Sequence, residues 1–371
     1  MGKVSYTDLV NPAVLNQPTY EPGKPIETVA REFGLDPCGI IKMASNENPL
    51  GPSPLAQSAV AKMLGEVNLY PDGGATQLRE RLAKHWGLKP SQFLIGNGSN
   101  EVMILLAQAF LRPGDEVVFG SQAFIVYKLA ALMFGAVPVA VPMPDYRHDL
   151  AAMRAAITEK TKLVFLTCPN NPTGTINSPA SIINFAKDLP EHVILCLDEA
   201  YTEFLDEAAD LRPLIAEGRK VVCARTFSKI YGLAGLRVGY LYGSEEVIGL
   251  VQRVRQPFNV NLVSQIAAVA ALDDSAFVKL SKEVNSEGLR QLTAGLSVLG
   301  LEYVPSHGNF LVFHIENAAG IFDALQKQGI IVRPLAGYGM PNSLRVTVGT
   351  HEQNERFLRT LGELLKTSNI K

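Results

Sequence analysis

Lys220-Val-Val-Cys-Ala-Arg225, then Thr226-Phe-Ser-Lys229, then Gly232-Leu-Ala-Gly-Leu-Arg-Val-Gly239 is the stretch from which the fold can be read. Its first six residues are an apolar, β-rich run and predict a buried strand. Lys229 follows at the strand's end, where side chains are held rather than solvated. From Thr226 to Arg237, twelve residues carry two aliphatic hydroxyls, an ammonium and a guanidinium. That set suits a bound phosphate beside a reactive amine. Taken alone, an ordinary loop lysine and a surface arginine are the commoner outcome, so the rest of the chain has to decide.

The chain has 371 residues, 47% hydrophobic and 19% charged, with a formal charge of −2. This describes a compact protein with ample core and predicts one large domain plus a smaller one. The charge balance and the lack of a long basic run argue against nucleic acid as a partner. Apolar runs such as Val193-Ile-Leu-Cys-Leu197 fall well short of the roughly 20 residues a membrane span needs. The first residues carry no charged-then-apolar signal pattern, and Tyr6 stands where a myristoylation motif wants Ser or Thr. Cys38, Cys168, Cys196 and Cys223 have no Cys-x-x-Cys spacing and read as thiols of a reduced compartment, so a cytoplasmic protein is expected. The six histidines are scattered, and no metal site is expected.

Along the chain, residues 1–44 form a Pro-punctuated arm with a short helical pattern at Ile26–Phe33. Ser45-Asn-Glu-Asn-Pro-Leu-Gly-Pro-Ser-Pro54 cannot be a regular helix or a central strand, and reads as a loop rich in hydrogen-bonding groups. Phe93–Gly96 then predicts a strand that turns through Asn97-Gly-Ser-Asn into a helix. Free backbone N–H groups at such a helix start suit an anion, although neither the dinucleotide fingerprint nor a Walker lysine is present. Strands predicted at Glu116–Gly120, Val137–Val141, Lys162–Thr167, Val193–Asp198, Lys220–Arg225 and Val238–Tyr242 alternate with helical patterns. This is the pattern of an α/β domain with a mostly parallel sheet between helices, here residues 45–267. Residues 268–371 read as a small α+β domain with a long helix at Ser275–Leu296 and strands at Glu302–Val304, Phe310–His314, Ile330–Arg333 and Leu344–Val348. Ligands of such sheets bind at the carboxyl ends of the strands. Ser99, Asn100, Asn171, Asp198 and Lys229 all fall there.

Asp198 closes Val193-Ile-Leu-Cys-Leu-Asp198 and is followed by Glu-Ala-Tyr201. A carboxylate in that place suits a structural cap, a magnesium ligand or a partner for a heteroaromatic nitrogen, and the missing phosphate loop weakens the magnesium reading. Together, Asn171-Pro-Thr-Gly174, Asp198-Glu-Ala-Tyr201, Ser228-Lys229 and Arg237 resemble the fold-type I pyridoxal-phosphate aminotransferases, from about Tyr20 to the end of the chain. Ser45–Pro54, Leu69-Tyr-Pro-Asp72 and Ser343-Leu-Arg-Val-Thr-Val-Gly-Thr350 look like the histidinol-phosphate aminotransferase branch.

The resemblance implies pyridoxal 5'-phosphate as cofactor, carried covalently on Lys229, with Asp198 at the ring nitrogen. Asn171 and Tyr201 would hold the ring's phenolic oxygen, and Phe124 would stack on the ring where many relatives have Tyr. Ser99, Asn100, Thr226, Ser228 and Arg237 would form the phosphate cup. Tyr70 would cross to the phosphate of a neighbouring subunit, which implies a homodimer. Arg345 suits bidentate capture of a carboxylate. With Arg333, Tyr20 and Asn48 it would meet the substrate. The implied reaction moves the amino group of L-histidinol phosphate to 2-oxoglutarate. An aromatic amino-acid aminotransferase and a phospho-amino-acid decarboxylase are the rivals; a non-catalytic regulator is disfavoured because the arm before Ser45 is too short and uncharged for a DNA-binding segment.

Overall fold

The computed structural model of the chain describes residues 4–15, 17–19 and 23–367. In chain order its strands are β1 (Ile41–Lys42), β2 (Phe93–Gly96), β3 (Glu116–Gly120), β4 (Val137–Val141), β5 (Thr161–Thr167), β6 (Ile194–Asp198) and β7 (Val221–Thr226). After them come β8 (Gly239–Tyr242), β9 (Tyr303–Val304), β10 (Phe310–His314), β11 (Ile330–Ile331), β12 (Arg333–Pro334) and β13 (Ser343–Thr347). A seven-stranded sheet runs in the order β2-β8-β7-β6-β5-β3-β4. Only β8 opposes the others in direction, pairing antiparallel with both β7 and β2.

Both faces of this sheet are covered, and the strand sequences explain why. Along β5, Val164 and Leu166 enter one apolar cluster with Leu78, Leu82 and Ile182, while Leu163 and Phe165 enter the opposite cluster with Val102, Leu106 and Tyr127. With side chains alternating at period two, a strand apolar at every position must be buried on both sides. Each parallel crossover therefore lays its helix on one face, and every loop that follows a parallel strand opens at one edge.

A four-stranded antiparallel sheet, β12-β13-β10-β9, packs against the helices Ser275–Val298, Ala318–Lys327 and His351–Thr367. The continuous strand expected at Ile330–Arg333 is in fact two. Ile330 and Ile331 pair in parallel with Ile41 and Lys42, whereas Arg333 pairs with Arg345. The chain turns at Val332 because its two halves serve different sheets. Residues 26–44 consequently pack onto this part of the molecule, with Val29, Ala30, Ile40 and Ala44 buried against Ile331.

The Asn/Pro-rich segment is an ordered loop. Ser53 ends it by accepting from Ala56 N and donating to Asp274 Oδ2 at 2.6 Å, and Pro54 takes the first turn of the helix Pro54–Met63, where its missing N–H is harmless. Asp274 in turn caps the long helix that starts at Ser275.

Candidate active site

The carboxyl edge of the large sheet collects side chains from separate loops. Lys229 lies three residues past β7, and its Nζ donates to Ser45 O at 3.2 Å and stands 5.5 Å from the Tyr201 ring centroid. Asp198, the last residue of β6, is buried; its Oδ1 accepts from Ala200 N at 3.1 Å and its Oδ2 from the Tyr127 hydroxyl at 2.7 Å. Tyr201 is buried, and its hydroxyl accepts from Asn46 Nδ2 at 2.8 Å. Arg345, from the middle of β13, donates through Nη1 to Asn171 Oδ1 at 2.6 Å and through Nη2 to Ala44 O at 2.7 Å. Its guanidinium also sits over the Phe310 ring, 5.1 Å from the centroid. The two sheets thus meet at the amide of Asn171.

Electrostatics in this cleft follow from desolvation and from the arginines. Burial, then the charge of Arg345, brings the Lys229 ammonium down to about 8, with Arg237 adding to the fall and Glu47 and Asp198 opposing it. Burial raises the Asp198 carboxyl to about 6, moderated chiefly by the Tyr127 hydroxyl and the Ala200 N–H. The Tyr201 phenol is pushed up to about 12 by burial, against the pull of Arg345 and Asn46. An amine that is partly neutral near physiological pH, beside a carboxylate and a guanidinium, can act as nucleophile and base.

At the side of the cleft, helix Gly98–Phe110 starts against β8. A Cβ on Gly239 would lie 2.5 Å from Ser99 N and 2.6 Å from Arg225 O, so only glycine lets the helix start come this close. Gly98 has φ +80°, and a Cβ there would sit 2.8 Å from Arg237 Nη2. Arg237 itself holds a left-handed backbone, φ +56°, a conformation costing about 1 kcal/mol or more that persists where the surroundings impose it. Because β8 runs antiparallel, its amino end lies at the same edge as the parallel strands' carboxyl ends, which is how Arg237 comes to face Ser228 Oγ and Asn97 O, each at 3.5 Å. Thr226 Oγ1 bonds Ser228 Oγ at 2.9 Å, and Ser99 and Asn100 occupy the helix's first turn. Helix N–H groups, three hydroxyls and a guanidinium around a glycine-lined space fit a phosphate dianion. With Asp198 and Lys229 alongside, the donor set fits a phosphorylated pyridine aldehyde.

Other expected residues divide. Phe124 lies in the turn after β3, two residues before helix Val126–Met133, and meets Tyr127 edge-on at 5.9 Å. Tyr70 is 83% exposed and stacks on Phe258 at 4.8 Å. Arg333 pairs with Arg345 across β12 and β13, and Gly23 lies beside its guanidinium. Asn48, expected at the substrate, lies in the loop before helix Pro54–Met63. Its amide donates to Ile230 O and Ser281 Oγ, each at 2.9 Å, and its carbonyl accepts from Leu50 N, so it braces the loop. Tyr20 lies outside the described residues.

Three features escaped the sequence reading. Asn46 supports Tyr201, and only the polar character of its loop hinted at it. Tyr127 on a helix facing the sheet looks like core. Arg225, buried at the end of β7, binds Glu199 Oε2 at 2.8 Å and Glu203 Oε1 at 3.2 Å and lies 4.2 Å from the Trp86 ring centroid. This buried ion triplet backs the strands that carry Asp198 and Thr226. Among the described residues, no His, Cys, Asp and Glu side chains group as a metal site, and no helix is long and apolar enough to cross a membrane.

The family model for aminotransferases of class I and II matches residues 39–361. The chain is 51% identical over 352 residues to a histidinol-phosphate aminotransferase of Methylobacillus flagellatus, covering 94% of this chain and 95% of that one. It is 47% identical over 364 residues to a histidinol-phosphate aminotransferase of Dechloromonas aromatica, covering 98% of each. A histidinol-phosphate aminotransferase structure from Sinorhizobium meliloti, in complex with pyridoxal-5'-phosphate, superposes with a TM-score of 0.88 at 27% identity, covering 96% of this chain and 98% of that one.

Proposed function

The chain belongs to the class I and II aminotransferase family, and we propose that it transfers the amino group of L-histidinol phosphate to 2-oxoglutarate, giving imidazole acetol phosphate and L-glutamate. The observation that carries the reading is the Lys229 amine, brought down to about 8 between Tyr201, Asp198 and Arg345 at the sheet's carboxyl edge.

Pyridoxal 5'-phosphate, when bound, supplies an aldehyde that condenses reversibly with amines and a ring that withdraws electrons from the substrate's Cα. The rest falls to the protein. Asp198 would pair with the ring nitrogen and favour its protonated form, while Asn171 and Tyr201 would hold the phenolic oxygen. Phe124 would cover the ring face, and Ser99, Asn100, Thr226, Ser228 and Arg237 would hold the phosphate. Lys229, neutral in part near pH 7, takes the proton at the substrate's Cα. Arg345 offers two parallel N–H groups to the carboxylate of the 2-oxo acid, and with Arg333 receives the phosphate of the amino donor. Their adjacency on β13 and β12 lets one arginine pair serve both half-reactions.

The unit is a homodimer in which Tyr70 reaches the neighbouring phosphate site, a reading supported by a ring held by Phe258 yet left open to solvent. The reaction is cytoplasmic, in keeping with four cysteines that remain free thiols. Residues 45–267 form the cofactor-binding unit and 268–371 the smaller one, with the arm 1–44 packing on the latter through residues 26–44.

The deciding experiment is a donor panel with 2-oxoglutarate. L-histidinol phosphate should exceed phenylalanine and tyrosine in kcat/KM by at least about a hundredfold, since a buried phosphate–arginine pair adds about 3 kcal/mol or more of discrimination. Preference for the aromatic amino acids would replace the phosphate reading with an aromatic aminotransferase.

A further inference from the structure

The Tyr127 hydroxyl is the only side-chain donor seen on Asp198 among the described residues, and nothing in the reaction as set out above uses it. Tyr127 is fully buried and immobilised by aromatic contacts: stacked on Phe165 at 4.7 Å and 6°, and edge-on to Phe119 and Phe124 at 6.3 and 5.9 Å. Such packing fixes both ring angles, so the hydroxyl is aimed and not merely near. Core packing alone would be served by Phe. A buried phenol needs a partner, and this one is placed on Oδ2 while the backbone N–H of Ala200 takes Oδ1.

We propose that Tyr127 is a positioning residue that keeps Asp198 a carboxylate and thereby keeps the proton on the ring nitrogen of the bound cofactor, while its ring fixes Phe124 against the cofactor's face. The proposal rests on the reading of Asp198 as the ring-nitrogen partner. A proton shared between a carboxylate and a pyridine goes to the more basic of the two. A hydrogen bond donated to the carboxylate lowers its basicity and leaves the proton on nitrogen. The remaining groups facing Asp198 cannot replace this donor. Thr167, paired with Asp198 across β5 and β6, turns its hydroxyl to Pro169 O; Glu199 on its own segment disfavours the charged form; Lys229 favours it as a charge without a hydrogen bond. Removing the phenol leaves a carboxyl already raised to about 6 with a single backbone donor, which raises it further.

The test uses cofactor-stripped protein reloaded with pyridoxamine 5'-phosphate carrying nitrogen-15 in the ring, which binds without a covalent link. In the parent protein the nitrogen signal should be that of a pyridinium from pH 6 to 8. Tyr127→Phe, with an unchanged melting cooperativity, should move it toward the unprotonated value and weaken binding about ten- to a hundredfold, the range for a lost hydrogen bond to a charged group. In an Asp198→Asn background, the same change should move neither quantity. Should Tyr127→Phe fail to fold, Phe165→Leu, which loosens the ring without removing the hydroxyl, should give a smaller shift in the same direction. A pyridinium signal retained in the folded variants, or an equal loss of affinity with and without Asp198, would overturn the proposal. A parent protein that does not bind pyridoxamine 5'-phosphate at all would instead refute the cofactor reading on which it stands.

Discussion

The cofactor-free protein should contain one lysine that reacts as an amine at neutral pH. Burial and the nearby arginines lower Lys229 from the ordinary 10.5 to about 8. At pH 7, roughly 9% of it is then neutral, against about 0.03% of a solvated lysine, a ratio near 300. Reductive trapping with a small uncharged aldehyde, followed by mass mapping of the peptide around Lys229, reads this fraction directly as a function of pH. Substitutions predict the direction of movement. Arg345→Gln removes a cation that repels the ammonium and should move the midpoint up; Asp198→Asn removes an anion that favours it and should move it down. A midpoint near 10, or a downward shift in Arg345→Gln, would refute the account of the site. The same burial penalises stability. Because the folded value lies below the unfolded one, the penalty is complete below about pH 8 and disappears as pH rises past about 10. Lys229→Met should therefore stabilise the cofactor-free protein at pH 7 by up to about 3 kcal/mol, an advantage that shrinks toward pH 10 in chemical denaturation.

Arg225→Met leaves Glu199 and Glu203 buried without their cation and should cost about 3–5 kcal/mol, seen as a fall in the denaturation midpoint at pH 7. The stranded carboxyls will have raised folded values, so the deficit should shrink as pH falls toward 5; a deficit independent of pH would contradict the mechanism. Gly239→Ala puts a Cβ into backbone atoms of Ser99 and Arg225, which cannot yield as a flexible side chain would. Equilibrium dialysis should show cofactor affinity reduced by at least tenfold, and unaltered affinity would mean that the helix start does not hold the phosphate.

Much of this was legible in the chain, for a definable reason. Strands of a doubly covered sheet are apolar throughout, so polar residues at their ends stand out, and Ser99, Asn171, Asp198 and Lys229 do so; the structure places them at one edge of the sheet. Helical positions offer no such contrast. Tyr127 occupies a core-facing place on an apolar helix, where an aromatic residue is expected on packing grounds, and its hydroxyl bond is visible only in space. The bracing contacts of Asn48 could not be read for the opposite reason, because a polar loop residue looks available until its three partners are known. The split at Val332 could not be read either: three β-branched residues followed by Arg333 do not say that the first two and the arginine pair with strands about 290 and 12 residues away.

That long pairing has a consequence for how the molecule is made. Asn46 N bonds Thr347 Oγ1, Ala44 O receives Arg345, and Ile41 lies beside Ile330, each link spanning about 300 residues. On the ribosome, the segment 41–46 waits for partners that emerge about 300 residues later. The seven-stranded sheet can assemble with Lys229 already in place, yet Tyr201 lacks Asn46's support and Lys229 its cover until the carboxyl-terminal strands arrive. Contacts of such separation form late, after shorter loops have closed. Newly made chains thus acquire a reactive lysine only after β13 has emerged, when the walls that control its chemistry are also in place.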